Sequence, residues 1–177
     1  MQEHAMTPGG LLLPKQGLKV GGYFEAQIVR NGEVVDEFEA PNMVVNQGLT
    51  SILDVYFRGT SSPGAWYIGL FQGNYTPVAT VTAAQIASAS NETSDYDEPT
   101  RPQWQPGAVS AMEVSNSANR ATFTFNASRT LYGAFMISSS TKGGTAGVLA
   151  AAARFGSSRA VASGDQLLLT YSVAAAT

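Results

Sequence analysis

The chain has no cysteine and a single histidine, His4. The first absence excludes a disulfide scaffold and thiolate metal sites. The second removes the side chain most often used as a base near neutral pH, and His4 sits in an N-terminal segment with no partner to position it. Charge is scarce as well: 13% of residues are Asp, Glu, Lys or Arg, against about 25% in an ordinary soluble domain. The ten basic residues are scattered and the net charge is -3, so the clustered cations that displace counterions from nucleic acid are missing. No long hydrophobic run is present either. The longest aliphatic stretch, Val148 to Ala153, is far below the roughly 18 residues that cross a bilayer. Leu11, Leu12 and Leu13 end at Pro14, too short for a signal-peptide core, so neither export by that route nor a membrane partner is expected.

What is present builds a fold. A chain of 177 residues is most simply one domain and buries roughly 70% of the surface its unfolded form exposes. Residues 1–20 are punctuated by Pro8, Gly9, Gly10, Pro14 and Gly17, which favours an extended or turning arm over a regular element. Residues 21–177 read as one β domain.

The clearest local signal runs from Tyr23 to Glu39, two β-rich stretches joined by Asn31-Gly32. Asn-Gly suits the positive φ angles of a type I′ turn, whose twist matches antiparallel strands. An unbroken two-residue hairpin places Val29 opposite Val34, Ile28 opposite Val35 and Glu25 opposite Phe38. Such a tip is apolar on both faces and is expected to lie between other elements.

Leu49, Ile52, Leu53, Tyr56 and Phe57 recur at the spacing of one helical stripe, which predicts an amphipathic helix at about 47–58. Asn46 is the expected N-cap and Arg58-Gly59 the expected end. Ala65 to Phe71 reads as a buried strand, with Gly69 leaving room for a close neighbour, expected to be that helix. Thr82 and Gln85 have the spacing of a capping box before a second, short helix. A polar loop follows at about 88–107; loops of this length are functional or disordered, and Tyr96 and Trp104 inside it point to an ordered, packed excursion. Strands are then predicted at about 109–114, 120–125, 131–137, 147–155 and 166–173, with turns that include 156–158. The alanines at 150–153 are equally compatible with a helical turn. The fold class is mostly β, an antiparallel β-sandwich or barrel with one short amphipathic helix and an extended N-terminal arm.

The candidates for chemistry are few. Glu92, Asp95, Asp97 and Glu98 offer oxygen donors of the kind calcium takes, without the glycine and ligand spacing of a calcium loop; a solvated acidic loop is expected. Ser138 to Ser140 and Ser157-Ser158 lie in turns with no nucleophile-elbow pattern. Lys142 to Gly147 is glycine-rich, but it lacks the order of a phosphate loop. No catalytic, metal or cofactor-binding residue is assigned, no cofactor is expected, and the chain is expected not to be an enzyme. Tyr67, Tyr75, Tyr96, Trp104 and Tyr132 are the candidate sugar-facing aromatics, with Tyr96 and Trp104 foremost, although most of these rings are expected in the core. Leu11, Leu12 and Leu13 of the arm, with Tyr96 and Trp104 of the long loop, are the candidate interaction residues.

The order of segments resembles small virion proteins of tailed bacteriophages, especially those that decorate or cement the head. The matching pieces are Val44 to Leu49 with Ile52-Leu53, Trp66 to Phe71, Ser115 to Phe123, and Tyr132 to Phe135 followed by Ser138-Ser139. None is a catalytic or ligand motif, and no functional residue is carried over. The resemblance implies a sandwich, often jelly-roll-like, that forms a homo-oligomer (dimer or trimer) and binds the major capsid protein on the outer head surface, after assembly in the host cytoplasm. A tail or baseplate module that binds a host receptor or carbohydrate is the alternative.

Overall fold

The computed structural model describes residues 4–7, 9–14 and 18–176. The described chain is mostly β, with two antiparallel sheets and two helices, and it is a sandwich, not a closed barrel. One five-stranded sheet has the order β5 (Met43–Val44), β11 (Leu149–Val161), β10 (Arg129–Ile137), β6 (Trp66–Phe71), β7 (Gln103–Trp104). The other runs β4 (Glu33–Pro41), β3 (Lys19–Arg30), β12 (Gln166–Ala176), with β8 (Glu113–Ser115) and β9 (Ala121–Thr124) both paired to β12. Helix α1 spans Asn46–Arg58 and α2 spans Ala83–Ala89. Two short strands, β1 (His4–Met6) and β2 (Leu12–Pro14), pair with each other in the segment read as an arm. The side chains of His4, Leu12 and Leu13 lie outside the described part of the structure.

The inner faces of the two sheets close on a core that includes Phe24, Ile28, Ile68, Leu70, Phe123, Leu131, Leu167 and Leu169. Alternation along each strand sends these side chains inward. Between β8 and β9 the ladder on β12 would break, and the buried Asn116 fills the gap. Its amide nitrogen donates to the Leu169 carbonyl at 3.2 Å, and its oxygen accepts from the Tyr171 N–H at 2.7 Å. A side chain thus supplies what a strand residue would have supplied.

The β3–β4 hairpin turns at Asn31 and Gly32, with φ of 51° and 84°, as the pair requires. Val29 stands opposite Val34, but the register then shifts, so that Ile28 faces Asp36 and Ala26 faces Phe38. The unbroken register read from the sequence is therefore corrected by a bulge at Val35. The cause is the core: without the extra residue Phe38 would share the outward face of Glu25, whereas the shift moves it to the inward face of Ala26. Val34 and Val35 are exposed, so the tip projects beyond the layers instead of lying between them.

The alanine run is strand, and β11 continues through Gly156-Ser157-Ser158 to Val161. No turn forms there. Between Leu131 opposite Arg159 and Gly133 opposite Arg154 the register shifts, so these small residues form an irregularity within a longer ribbon.

The outer face of the β10 sheet is also covered. Phe71, Phe135, Ile137 and Leu149 pack there with Val45, Val81 and Ile86. Two glycines make this possible. Phe135 lies across from Gly69 and Phe71 across from Gly133, and a Cβ on Gly69 would stand 2.2 Å from the Phe135 ring, one on Gly133 2.0 Å from the Phe71 ring. The close neighbour of Gly69 is this ring, not α1. Each phenyl lies flat on the backbone of the adjacent strand, which lets α2 approach. At α2 the expected capping pair is present, with the Gln85 side-chain oxygen accepting from the Thr82 N–H at 3.2 Å.

Gly69→Ala and Gly133→Ala should each cost about 1–3 kcal/mol in urea unfolding through overpacking. Gly156→Ala, where an added Cβ meets nothing within 4 Å, should stay within about 0.5 kcal/mol of wild type.

Candidate interaction surface

The 88–107 segment is an ordered wall of the domain. Its central bond is the ion pair of Arg101 and Glu92 at 2.7 Å, whose side chains are almost completely buried. Arg101 also donates to the carbonyls of Ser139 and Gly144 at 2.9 and 3.2 Å and stands over the Phe135 ring. Glu92 accepts from the Gly143 N–H at 3.0 Å. The glycine-rich tip at 142–147 is thereby tied to the long loop. Lys142 adds to the tie: its ammonium lies 3.7 Å from the Tyr96 ring centre and donates to the Tyr96 carbonyl at 2.7 Å. Partial burial lowers the Lys142 pKa from its ordinary value, against the opposing pull of carboxylates, Glu98 first among them.

The four acidic residues of the loop do not converge. Glu92 is held by Arg101, Asp95 by Arg129, and Asp97 accepts from the Asn126 amide. Glu98 accepts from the Thr124 N–H at 3.0 Å. Among the described residues no group of three or more His, Cys, Asp or Glu is placed to hold a metal ion. These carboxylates fasten the loop to its neighbours. A second acidic place, on the outer face of the β3–β4–β12 sheet, has Glu25 opposite Glu39 and Arg120 bonded to Gln27. It is a shallow polar cleft lined by Glu25, Gln27, Glu37, Glu39 and Arg120.

The aromatic candidates are packing residues. Tyr96 is 1% exposed and Trp104 8% exposed. Tyr96 meets Phe123 edge-on at 5.1 Å between ring centres, and Trp104 donates its indole N–H to the Tyr171 carbonyl at 3.0 Å. Burial raises the phenol pKa of both Tyr96 and Tyr171. Neither Tyr96 nor Trp104 offers the flat open face a sugar stacks on; both are packed inside an ordered loop, as the embedded aromatics lead one to expect, which leaves little of either for the interaction they are candidates for.

Five exposed apolar side chains follow one another along α1. The helix meets the domain through Gly48, where a Cβ would stand 2.4 Å from the Ala150 carbonyl oxygen. Its start is held by Gln47, whose side-chain oxygen accepts from the N–H groups of Ala83 and Leu149 at 2.9 and 3.0 Å. Val45, not Asn46, is the N-cap, with no side-chain cap bond. Gly59 ends the helix with φ of 67°, as expected. Rotated this way, the helix turns its Leu49, Ile52, Leu53, Tyr56 and Phe57 stripe away from the core. Leu53 is 57%, Tyr56 80% and Phe57 74% exposed.

Beside α1 lies an apolar groove of about 360 Å³, lined by Val20, Val44, Ile52, Trp66, Trp104 and Val173 among others. Val20 belongs to the start of β3, and the exposed Leu18 precedes it. The root of the arm and the α1 face therefore share one side of the molecule. Of the sequence candidates, Leu11 is exposed and Trp104 contributes a wall of the groove. The periodicity marks Leu53, Tyr56 and Phe57 as part of one stripe but does not say that the stripe faces outward. A signal for this rotation is present in the small residues Gly48 and Ser51, which line up with Val55 on the other side of the helix.

Ion pairs fasten the far end of the sandwich. Arg30 donates to both carboxylate oxygens of Asp165 at 2.8 and 2.7 Å. Arg159 pairs with Asp36 at 3.1 Å and stacks on Phe38, which joins β11 to β4. The hydrogen bonds from Arg30 hold the Asp165 carboxyl below its ordinary range, against the effect of burial, and the Ala162 N–H helps.

In comparisons with known proteins, no protein-family model matches the chain and no curated protein sequence matches it at a significant level.

Two outcomes are expected. Arg101→Met strands the buried Glu92 carboxylate and should cost about 3–5 kcal/mol in urea unfolding; the double variant with Glu92→Gln should recover part of that loss, and simple additivity of the two losses would contradict the pairing. Asp165 has a folded pKa below the unfolded value of about 4, so its contribution is full above that value and is lost as pH falls through the folded one. Asp165→Asn should therefore lower the melting temperature at pH 7 and flatten its decline in acid, read by circular dichroism.

Proposed function

We propose that this protein is a structural subunit that attaches to a larger assembly, a capsid decoration (cement) protein of a tailed bacteriophage. In this reading it binds the major capsid protein at the outer surface of the head, as one of several copies, and stabilises the shell by bridging neighbouring capsomers. The observation that carries the reading is the apolar surface formed by the outer face of α1 and the root of the arm. The fold buries two clusters of apolar side chains and leaves the bulky α1 stripe, with its two neighbouring aromatics, outside them. Contiguous apolar patches of more than a few hundred Å² mark contact sites on soluble proteins.

Three further features suit such a part. The surface carries little charge, so it packs against neighbours without desolvating many ions. The β1–β2 pair is too small to be stable alone and gains from a partner surface, and its Met6 and Leu11 are exposed. Many modest contacts repeated around a symmetric shell add by avidity to resist internal pressure. The segment order that resembles head-decorating proteins points the same way, while the burial of Tyr96 and Trp104 removes the aromatic platform on which a sugar-binding reading relied.

Because β3 begins at Lys19, paired with Ala176, truncation should stop at residue 17. A chain lacking residues 1–17 should keep the wild-type far-ultraviolet spectrum and melting temperature yet fail to co-sediment with heads assembled from the major capsid protein of the same genome. Wild-type protein that stays in the supernatant would overturn the shell reading, and equal binding by the truncated chain would remove the arm from it.

A further inference from the structure

We propose that the outer face of α1 is the surface through which this chain binds a second copy of itself, an inference that rests on the reading above that it works as a repeated subunit. Four observations lead there. First, the rotation of α1 is fixed. Gly48 lies against the Ala150 backbone with no room for a Cβ, and Gln47 is bonded to two different elements. The bulky stripe therefore cannot turn inward to find cover.

Second, the stripe offers no charge to a charged partner. Asp54 and Arg58 are the charged residues of the helix, and they pair with each other at 2.7 Å. An apolar surface of the same character is the complement the chemistry calls for.

Third, knob and hole occur on the same face. Tyr56 and Phe57 meet edge-on at 5.0 Å at one end of the stripe; Tyr56 also walls the groove alongside, with Ile52, Trp66 and Val20, and Phe57 projects beyond it. A two-fold axis near Leu53 would pair the helices antiparallel and bring the aromatic end of each copy to the groove of the other. A two-fold contact requires such self-complementarity.

Fourth, the area is adequate. Leu49, Ile52, Leu53, Tyr56 and Phe57 are all exposed, and together they present on the order of 600 Å², approaching the roughly 800 Å² per partner of a standard interface. The groove walls add to it.

Two measurements on the full chain test this. The wild-type protein should sediment as an oligomer at micromolar concentration, and Leu53→Glu should sediment as a monomer with an unchanged melting temperature. Because the chain has no cysteine, Leu53→Cys is a unique probe and should form a covalent dimer under mild oxidation. Ser163→Cys, in the exposed turn at the opposite end of β12, should not. A monomeric wild type, which is what an arm folded back over α1 of its own chain would give, overturns the proposal; so does a Leu53→Glu variant of unchanged mass, or equal cross-linking at positions 53 and 163. Wild-type protein that ignores heads while Leu53→Glu still disperses the oligomer supports this contact and removes only the shell reading.

Discussion

The approach of Gly48 to the backbone of Ala150 sets the character of this protein. A Cβ at that position would come within 2.4 Å of a carbonyl oxygen, so only glycine lets α1 lie this close to β11. The close seat commits the small side of the helix to the domain. Its apolar side is then committed to the outside, since a helix of this length has only one rotation for a given seat. The alanines of β11 are the other half of the contact. Larger side chains there would lift the helix and close the groove beneath it.

The rest of the molecule keeps that seat rigid. The β10 sheet is covered on both faces, by the second sheet within and by α2 and its loop without, and the crossed Phe–Gly contacts of β6 and β10 keep the outer layer thin. The buried Arg101–Glu92 pair fixes the long loop against the tip at 142–147. A buried pair of this kind adds little net stability over an apolar substitute, but breaking it is costly, so it specifies one arrangement of the loops. The polar residues of the long loop are thus spent on internal order, and the outward apolar residues of α1 remain for contact.

Much of the fold was legible in the sequence, and the reasons differ by element. Asn31-Gly32 marked its turn because the pair satisfies a backbone requirement few others meet. The Thr82–Gln85 cap and the end of α1 at Gly59 were legible on the same local grounds. The bulge at Val35 was not, because it answers to the placement of Phe38 in a core that only the whole sheet defines. The β11 ribbon ran through Gly156-Ser157-Ser158 since its partner strand continued, which no local propensity records. For α1 the periodicity marked the helix and its stripe but not which way the stripe points, because a moment measures segregation of apolar residues and not what they face. The packing of Tyr96 and Trp104 in an ordered loop was legible, but not what holds the loop: its acidic residues are bonded inward, to Arg101, Arg129 and Thr124.

The most direct measurement is amide hydrogen–deuterium exchange along α1 as the protein is concentrated. The account predicts that protection from Leu49 to Phe57 rises with concentration while that of β10 and β12 stays constant. Protection in α1 that is independent of concentration, with the aromatic stripe still open to solvent in the densest solution, would contradict it.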